Sequence, residues 1–378
     1  MKKSIHVLHL ISSSNIGGSP RHTHLLCEEL LKAGHYPVLV YPSGGSYEDN
    51  YKQSGIKVYP LQKMSLFSPS LYLKLIDIIQ KDNIDIIHTH ELKCDFIGFW
   101  TARFAGIPIV TTIHNMITHS RLSPLKKRIY CWISQYLYNS MDKVLAVSEA
   151  VKKNLMDELN VHSGKISTIL NGTRKVDDLS VFLSRSEILE KLGIDSKSFI
   201  IISPGRLIPI QKGFEYLIQA IPGVLANHPD IHLLIVGDGI IRKDLEQLAA
   251  ILGISGKVSF TGWRDDTQAL LYASDICVVP SLWDPLPRTI LESMMVGTPV
   301  IASRVDGIIE AINHGEDGLL VHPASAEELT DAMNYMIDNP KLIYQFGLTA
   351  RNKALRKFTS ERHAMDTVKI YQDCLKER

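Results

Sequence analysis

The chain has 378 residues, more than the roughly 250 at which single cores stop growing, so two domains are expected. A hydrophobic fraction of 45% with 21% charged residues marks an ordinary globular protein, and a formal net charge of +1 excludes a strongly basic nucleic-acid binder. The charge is uneven, however: residues 1–180 carry +6, residues 181–350 carry −9 and residues 351–378 carry +4, so an anionic partner is expected at the first half.

Taken in order, Ile5–Ile11 reads as a strand, followed by SSSNIGGSPR and a helix through Leu30 that Gly34 ends. Strand Pro37–Tyr41, helix Tyr72–Gln80, strand Ile84–His88, helix Phe96–Phe104 and strand Pro108–Ile113 follow. Ser123-Pro124 opens a further helix whose apolar face is read as Ile129, Trp132, Ile133, Tyr136 and Leu137. A second series starts near Ser198 with strand Phe199–Ser203, helix Phe214–Ala226, strand His232–Val236 and helix Arg242–Leu252. It continues with strand Lys257–Thr261, helix Thr267–Ala273, strand Ile276–Pro280, a helix from about Pro287 to Gly297, and strand Pro299–Ala302. Strands alternating with helices predict two doubly wound parallel sheets, joined near Gly172–Leu183.

The five cysteines, Cys27, Cys94, Cys131, Cys277 and Cys374, show no pairing pattern and read as reduced, buried thiols of a cytosolic protein. No apolar run approaches the ~18 residues of a membrane span. Met1-Lys-Lys leads into a strand rather than a signal peptide, and the sequon Asn171-Gly-Thr173 reads as a turn.

The most informative stretch is Pro280–Ser303, PSLWDPLPRTILESMMVGTPVIAS. Asp284 lies in a loop and Glu292 inside the following helix, eight positions apart, and the helix start offers N–H groups from about Arg288 to Ile290. A helix N-terminus favours an anion. An anion cradle between two carboxylates suits a ligand carrying both phosphate and hydroxyls, such as a nucleotide sugar. Arg206 and Lys212 follow the strand Phe199–Ser203 at its carboxyl end, where open parallel sheets bind ligands. Lys212 just precedes a helix, an unfavourable place for a cation unless an anion lies between; a diphosphate is the natural one.

These residues resemble the E-x7-E signature of family 4 glycosyltransferases, retaining enzymes of the GT-B fold, with Asp284 in the first position and Glu292 in the second. The resemblance extends in family order through Gly17-Gly18, Thr112-Ile-His114, Ala146-Val-Ser148, Leu170-Asn-Gly172, Gly205-Arg-Leu207 with Lys212-Gly213, and Val236-Gly-Asp-Gly239. It implies an α/β GT-B chain of two Rossmann-like domains facing a cleft: residues 1–175 for the acceptor, 176–357 for the nucleotide sugar, and 358–378 as a helix crossing back to the first domain. It also implies Glu292 on the donor ribose, Arg206 and Lys212 on its diphosphate, Asp284 and His114 by the transferred sugar, and Gly17, Gly18 and the Gly237 loop close to the donor. The family usually carries glycine on each side of the residue at Leu286; here Pro285 and Pro287 remove two backbone donors, leaving the amides of Leu286, Arg288 and Thr289.

The expected activity is retaining transfer of a sugar from a UDP- or GDP-linked donor to a hydroxyl of a glycan or lipid-linked acceptor, in cell-surface polysaccharide synthesis. A GT-B nucleotide-sugar epimerase or hydrolase and a non-catalytic sugar-nucleotide-binding paralogue remain as alternatives. An NAD dehydrogenase does not, because Arg242 occupies the third glycine position of a dinucleotide fingerprint. His88-Thr-His90 is short of a third ligand and no DxD follows a strand, so neither metal nor cofactor is expected. Lys126, Lys127 and Arg128 read as the solvated edge of a core-packed helix or, more sharply, as a landing patch for a phosphate-bearing acceptor or the inner face of the membrane. The expected location is cytoplasmic.

Overall fold

A computed structural model describes residues 4–62, 64–115 and 123–377. The chain divides into two compact units, Met1–Gly172 with Ser360–Arg378, and Thr173–Thr359. The first runs β1 (His6–Ile11), α1 (Gly18–Lys32), β2 (Tyr36–Pro42), α2 (Glu48–Gln53), β3 (Lys57–Leu61), α3 (Pro69–Lys81), β4 (Ile86–His90), α4 (Leu92–Ala105), β5 (Ile109–Ile113), α5 (Pro124–Ser140), β6 (Lys143–Ala146), α6 (Glu149–Leu159) and β7 (Ile166–Thr168). The second runs α7 (Arg185–Lys191), β8 (Phe199–Pro204), α8 (Phe214–Asn227), β9 (Ile231–Val236), α9 (Arg242–Ile251), β10 (Val258–Phe260), α10 (Thr267–Tyr272), β11 (Ile276–Val279), α11 (Arg288–Val296), β12 (Val300–Ser303), α12 (Ile308–Ala311), β13 (Gly318–Val321), α13 (Ala326–Asp338) and α14 (Pro340–Lys357); α15 (Ser360–Lys376) returns to the first.

Both sheets are parallel and doubly wound, as predicted. Strand order is β3-β2-β1-β4-β5-β6-β7 in the first unit and β10-β9-β8-β11-β12-β13 in the second. Each order reverses once, between β1 and β4 and between β8 and β11, and such reversals are where open α/β sheets hold ligands.

Side chains alternate across the sheet, so one strand feeds two cores. Leu8 and Leu10 join Leu75, Ile87 and Ile97 on one face. Val7, with Ile86 and Val110, joins Leu26 and Leu30 of α1 and Ala364, Val368 and Tyr371 of α15 on the other. The apolar residues of α15 recur at helical spacing, which explains why it packs here.

Three sequence expectations are corrected. The β4 strand is Ile86–His90 rather than Ile84–His88, because the Ile84 amide still closes the end of α3 on the Ile79 carbonyl at 3.0 Å. The sequon residues do not form a turn; the chain runs on to Thr173, which bridges in parallel to Thr359. In α5 the buried residues are Ser134, Leu137 and Tyr138, whereas Ile129, Trp132 and Tyr136 of the predicted apolar face are 48%, 69% and 55% exposed. Tyr138 fixes the rotation of α5 by donating to the buried Asp95 carboxylate at 3.2 Å.

Candidate functional site

In the second unit the loops after β8 and β11 meet at the strand-order reversal. Gly213 takes φ +62° before α8, and a Cβ there would strike the Pro280 carbonyl, so this contact between the two loops needs glycine. The Leu282 amide donates to the Gln211 carbonyl at 2.8 Å and locks the register. On the other side the Leu207 amide reaches the Asp238 carbonyl at 3.0 Å, and Gly237, at φ +138°, admits the Gly205 carbonyl where a Cβ would sit. Between these anchors Ile210 holds φ +69°, an unfavourable state for a β-branched residue of the kind that gathers at functional sites.

The outcome is that Lys212 Nζ lies 2.6 Å from Asp284 Oδ2. Asp284 is only 5% exposed, its amide donates to the Asp306 carboxylate at 2.9 Å, and its carbonyl accepts from the Gly307 amide at 3.2 Å. Asp284 thus supplies an anion beside Lys212 at the α8 terminus. At the start of α11, Arg288 Nη2 donates to Glu292 Oε1 at 2.9 Å, while Arg288 Nε is buried with no partner among the described residues. Thr289 Oγ1 donates to the Pro204 carbonyl at 3.3 Å, tying α11 to the end of β8. The Ile290 amide is already bonded to the Pro287 carbonyl at 3.1 Å, so it leaves the predicted set of free helix donors. Arg206 is exposed, and Leu286 is buried.

The fold thus brings together Lys212 with Asp284 and Arg288 with Glu292, two cation–carboxylate pairs at one end of one sheet. The Arg288 guanidinium and Asp306 escaped sequence reasoning. Arg288 entered only through its amide, and nothing local to Asp306 marks it as a backbone acceptor 22 residues from Asp284.

In the first unit, Gly17 is the extended N-cap of α1, and a Cβ at Gly18 would meet nothing within 4 Å. His114 follows β5 and is half-buried. It does not stand alone. Parallel pairing sets His9 of β1 against His88 of β4, and the period of two puts His90, Thr112 and His114 on the same face. His22 of α1 and His363 of α15 cover that face, their rings 4.7 Å apart, with His22 4.5 Å from His114. His9 Nδ1 lies 3.2 Å from His90 Nε2, and His90 Nδ1 lies 3.2 Å from His114 Nε2. His88 is bonded at both nitrogens, to Tyr371 Oη at 2.6 Å and Thr112 Oγ1 at 2.7 Å. Burial lowers His9 to about 3, and burial followed by neighbouring imidazoles holds His88 and His90 well below their ordinary value. These rings are therefore neutral at pH 7. Sequence reasoning found no third partner for His88 and His90 because the partners arrive through strand register and helix packing.

Two family models match the chain, one described as Glycosyltransferase Family 4 over residues 16–174 and one as glycosyl transferases group 1 over residues 184–353. An uncharacterised glycosyltransferase of Methanocaldococcus jannaschii is 29% identical over 373 residues, 94% of each chain. The UDP-Gal:alpha-D-GlcNAc-diphosphoundecaprenol alpha-1,3-galactosyltransferase of Escherichia coli is 29% identical over 306 residues, 80% of this chain and 78% of that one. Among solved structures, a glycosyltransferase from Rickettsia africae matches with TM-score 0.85 at 24% identity, over 99% of this chain and 100% of that one. Anabaena HepE, solved with UDP and glucose, matches with TM-score 0.86 at 22% identity, over 98% of this chain and 100% of that one. Paired doubly wound units of this kind define the GT-B class of glycosyltransferases. Within it, the chain belongs to glycosyltransferase family 4.

Proposed function

We propose that the protein is a retaining glycosyltransferase that moves a hexosyl or related group from a UDP- or GDP-linked sugar to a hydroxyl of a glycan or lipid-linked acceptor, in cell-surface polysaccharide synthesis. The observation that carries this reading is the set of paired charges at the β8/β11 reversal: Lys212 with Asp284, and Arg288 with Glu292 at the head of α11. Glu292 accepts from the ribose hydroxyls. Lys212, Arg206 and the Arg288 and Thr289 amides meet the diphosphate, with the Leu286 amide and the Gly237 loop beside the donor. On the first unit, Gly17 and Gly18 allow close backbone approach, and His114 donates to a sugar hydroxyl. Asp284 faces the transferred sugar. The bond from the anomeric carbon to the phosphate breaks and a bond to the acceptor oxygen forms on the same face, while the leaving phosphate takes the acceptor proton. Cations fixed at that phosphate stabilise the charge it gains, usually a large share of catalysis. The relatives support the substrate class: the Escherichia coli protein is named for a UDP-sugar donor and a diphosphoundecaprenol acceptor, and HepE was solved with UDP-glucose.

Incubation with labelled UDP- and GDP-sugars, with and without a cell-envelope lipid extract, tests the class. Label should move to acceptor only with the extract. Donor loss at the same rate without extract would indicate an epimerase or hydrolase, and nucleotide binding without turnover a non-catalytic paralogue.

The charges Lys212, Arg206 and Arg288 serve where many nucleotide enzymes use a divalent ion, so no metal is assigned to the chemistry. Activity should survive excess EDTA; complete loss restored by Mg²⁺ or Mn²⁺ would contradict this.

The α5 correction favours membrane contact at the cytoplasmic face. Lys126 and Arg128 are exposed beside the outward Ile129, Trp132 and Tyr136, an apolar surface with a basic rim. No helix among the described residues is long and apolar enough to cross a membrane. Replacing Lys126, Lys127 and Arg128 by glutamine should spare the fold, reduce sedimentation with anionic vesicles by roughly 1 kcal/mol per charge, and lower turnover on a lipid-linked acceptor. Wild-type sedimentation should weaken with salt. Unchanged sedimentation and turnover would restore the solvated-edge reading.

A further inference from the structure

The six histidines on the first unit's sheet face include a group with the dimensions of a metal site. We propose that His22, His90 and His114 bind one divalent transition-metal ion of the zinc type, with the fourth position open. One ligand nitrogen from each of the three lies within 4.8 Å of the other two. The His90–His114 separation of 3.2 Å already matches the roughly 3.3 Å between nitrogens of a tetrahedral site with 2.0–2.1 Å bonds. His22 approaches His114 edge-on with ring centroids 4.5 Å apart, so a small rotation of one α1 side chain completes the triad.

A second group, His9, His88 and His90, also meets the distance criterion. It is the poorer site, because both nitrogens of His88 are committed to Tyr371 and Thr112 and all three residues are fully buried. His114 is half-buried, which gives an ion a route in and leaves one side of it open. His9 takes a supporting part instead. Its Nδ1 lies 3.2 Å from His90 Nε2, and the His90 tautomer that donates across this contact leaves its Nδ1 lone pair towards His114, the part that outer partners of metal-bound histidines take. His363 Nε2, on the ring 4.7 Å from His22, is buried with no hydrogen-bond partner among the described residues, so it can accept the rotated ring or join the ion. Imidazole nitrogens with no carboxylate favour zinc, cobalt, nickel or copper over magnesium or calcium.

With His114 read as a sugar contact, an ion held there withdraws that imidazole, so zinc lowers turnover and EDTA restores it. Binding is measured without donor or acceptor, so failure of the site and failure of the transferase reading are distinguishable. Full-length protein freed of metal with EDTA is titrated with Co²⁺ and Zn²⁺, following Co²⁺ visible absorption and heat. One Co²⁺ per chain with the intense bands of tetrahedral coordination is expected, displaced by Zn²⁺. His114→Asn, at the half-buried position, and His22→Asn should each weaken binding at least about tenfold, with metal-free melting temperatures showing that both fold. The exposed His162→Asn should bind like wild type. His9→Phe keeps all three ligands and should weaken binding roughly 10–100-fold through His90 alone. Absence of saturable binding, weak octahedral bands only, or equal binding by wild type, His114→Asn and His22→Asn would overturn the site.

Discussion

Exchanging Glu292 for glutamine is expected to raise the donor KM about tenfold or more while leaving kcat close to wild type. The ribose is chemically unchanged by transfer, so its carboxylate contact is equally strong in ground and transition states. Losing such a contact raises KM and spares kcat. A hydrogen bond to a charged group contributes roughly 1.5–3 kcal/mol, and each ~1.4 kcal/mol is tenfold in affinity. The structural cost is smaller. Glu292 pairs with Arg288 at 2.9 Å as an i,i+4 contact on one helix, worth about 0.3–0.5 kcal/mol when exposed and somewhat more at this partial burial. A melting temperature within a few degrees of wild type, alongside a large KM change, separates the binding role from a packing role.

Asp284→Asn should behave in the opposite way, with kcat falling roughly 10–100-fold and KM rising less, because positive charge grows at the anomeric carbon only in the transition state. Here the structural cost is considerable. Breaking a buried ion pair from one side costs about 3–5 kcal/mol; Lys212 keeps 22% of its side-chain surface in water, which puts the loss at or below the lower end. The stranded ammonium then has one natural partner, the donor diphosphate. Nucleoside diphosphate should therefore raise the melting temperature of Asp284→Asn at least as much as that of wild type. Should the variant bind the nucleotide more weakly than wild type, Asp284 is a structural residue of the nucleotide pocket and not a sugar contact.

Much of the architecture is legible in the residues because parallel strands are covered on both faces. Runs such as Ile200-Ile-Ile202 and Ile276-Cys-Val-Val279 are wholly buried, and no pattern of polar residues obscures them. The three-residue strand Ile166–Thr168 and the edge strand Lys57–Leu61 carry too little apolar length to stand out, and neither was predicted. The predicted face of α5 holds at Ile133 and Leu137 and fails at its other three residues for a different reason. Ile129, Trp132 and Tyr136 recur at helical spacing, yet the helix is oriented by Tyr138 reaching Asp95, a partner 43 residues away that periodicity does not see. Burial raises the Asp95 carboxyl to about 7, against the bonds from Thr111, Thr89 and Tyr138 that lower it.

The site divides along the same line. Asp284 and Glu292 are legible through their spacing and its resemblance to the E-x7-E signature, and Arg206 and Lys212 through their place after a strand end and before a helix start. The Lys212–Asp284 pairing is not, since the two are 72 residues apart and meet through the loop contacts of Gly213 with Pro280 and of Leu282 with Gln211. The histidine face is the extreme case. The parallel register brings His9, His90 and His114 to one face, and the packing of α1 adds His22, neither of which a single stretch of sequence displays.

Calorimetric titration of UDP and of GDP into wild type, Glu292→Gln and Asp284→Asn tests the central claim most directly, since it needs neither sugar nor acceptor. One of the two nucleotides should bind wild type. Its affinity should fall about tenfold or more in Glu292→Gln and be kept or increased in Asp284→Asn. Binding of neither nucleotide by wild type, equal binding by wild type and Glu292→Gln, or loss of binding in Asp284→Asn alone would contradict the donor site described here.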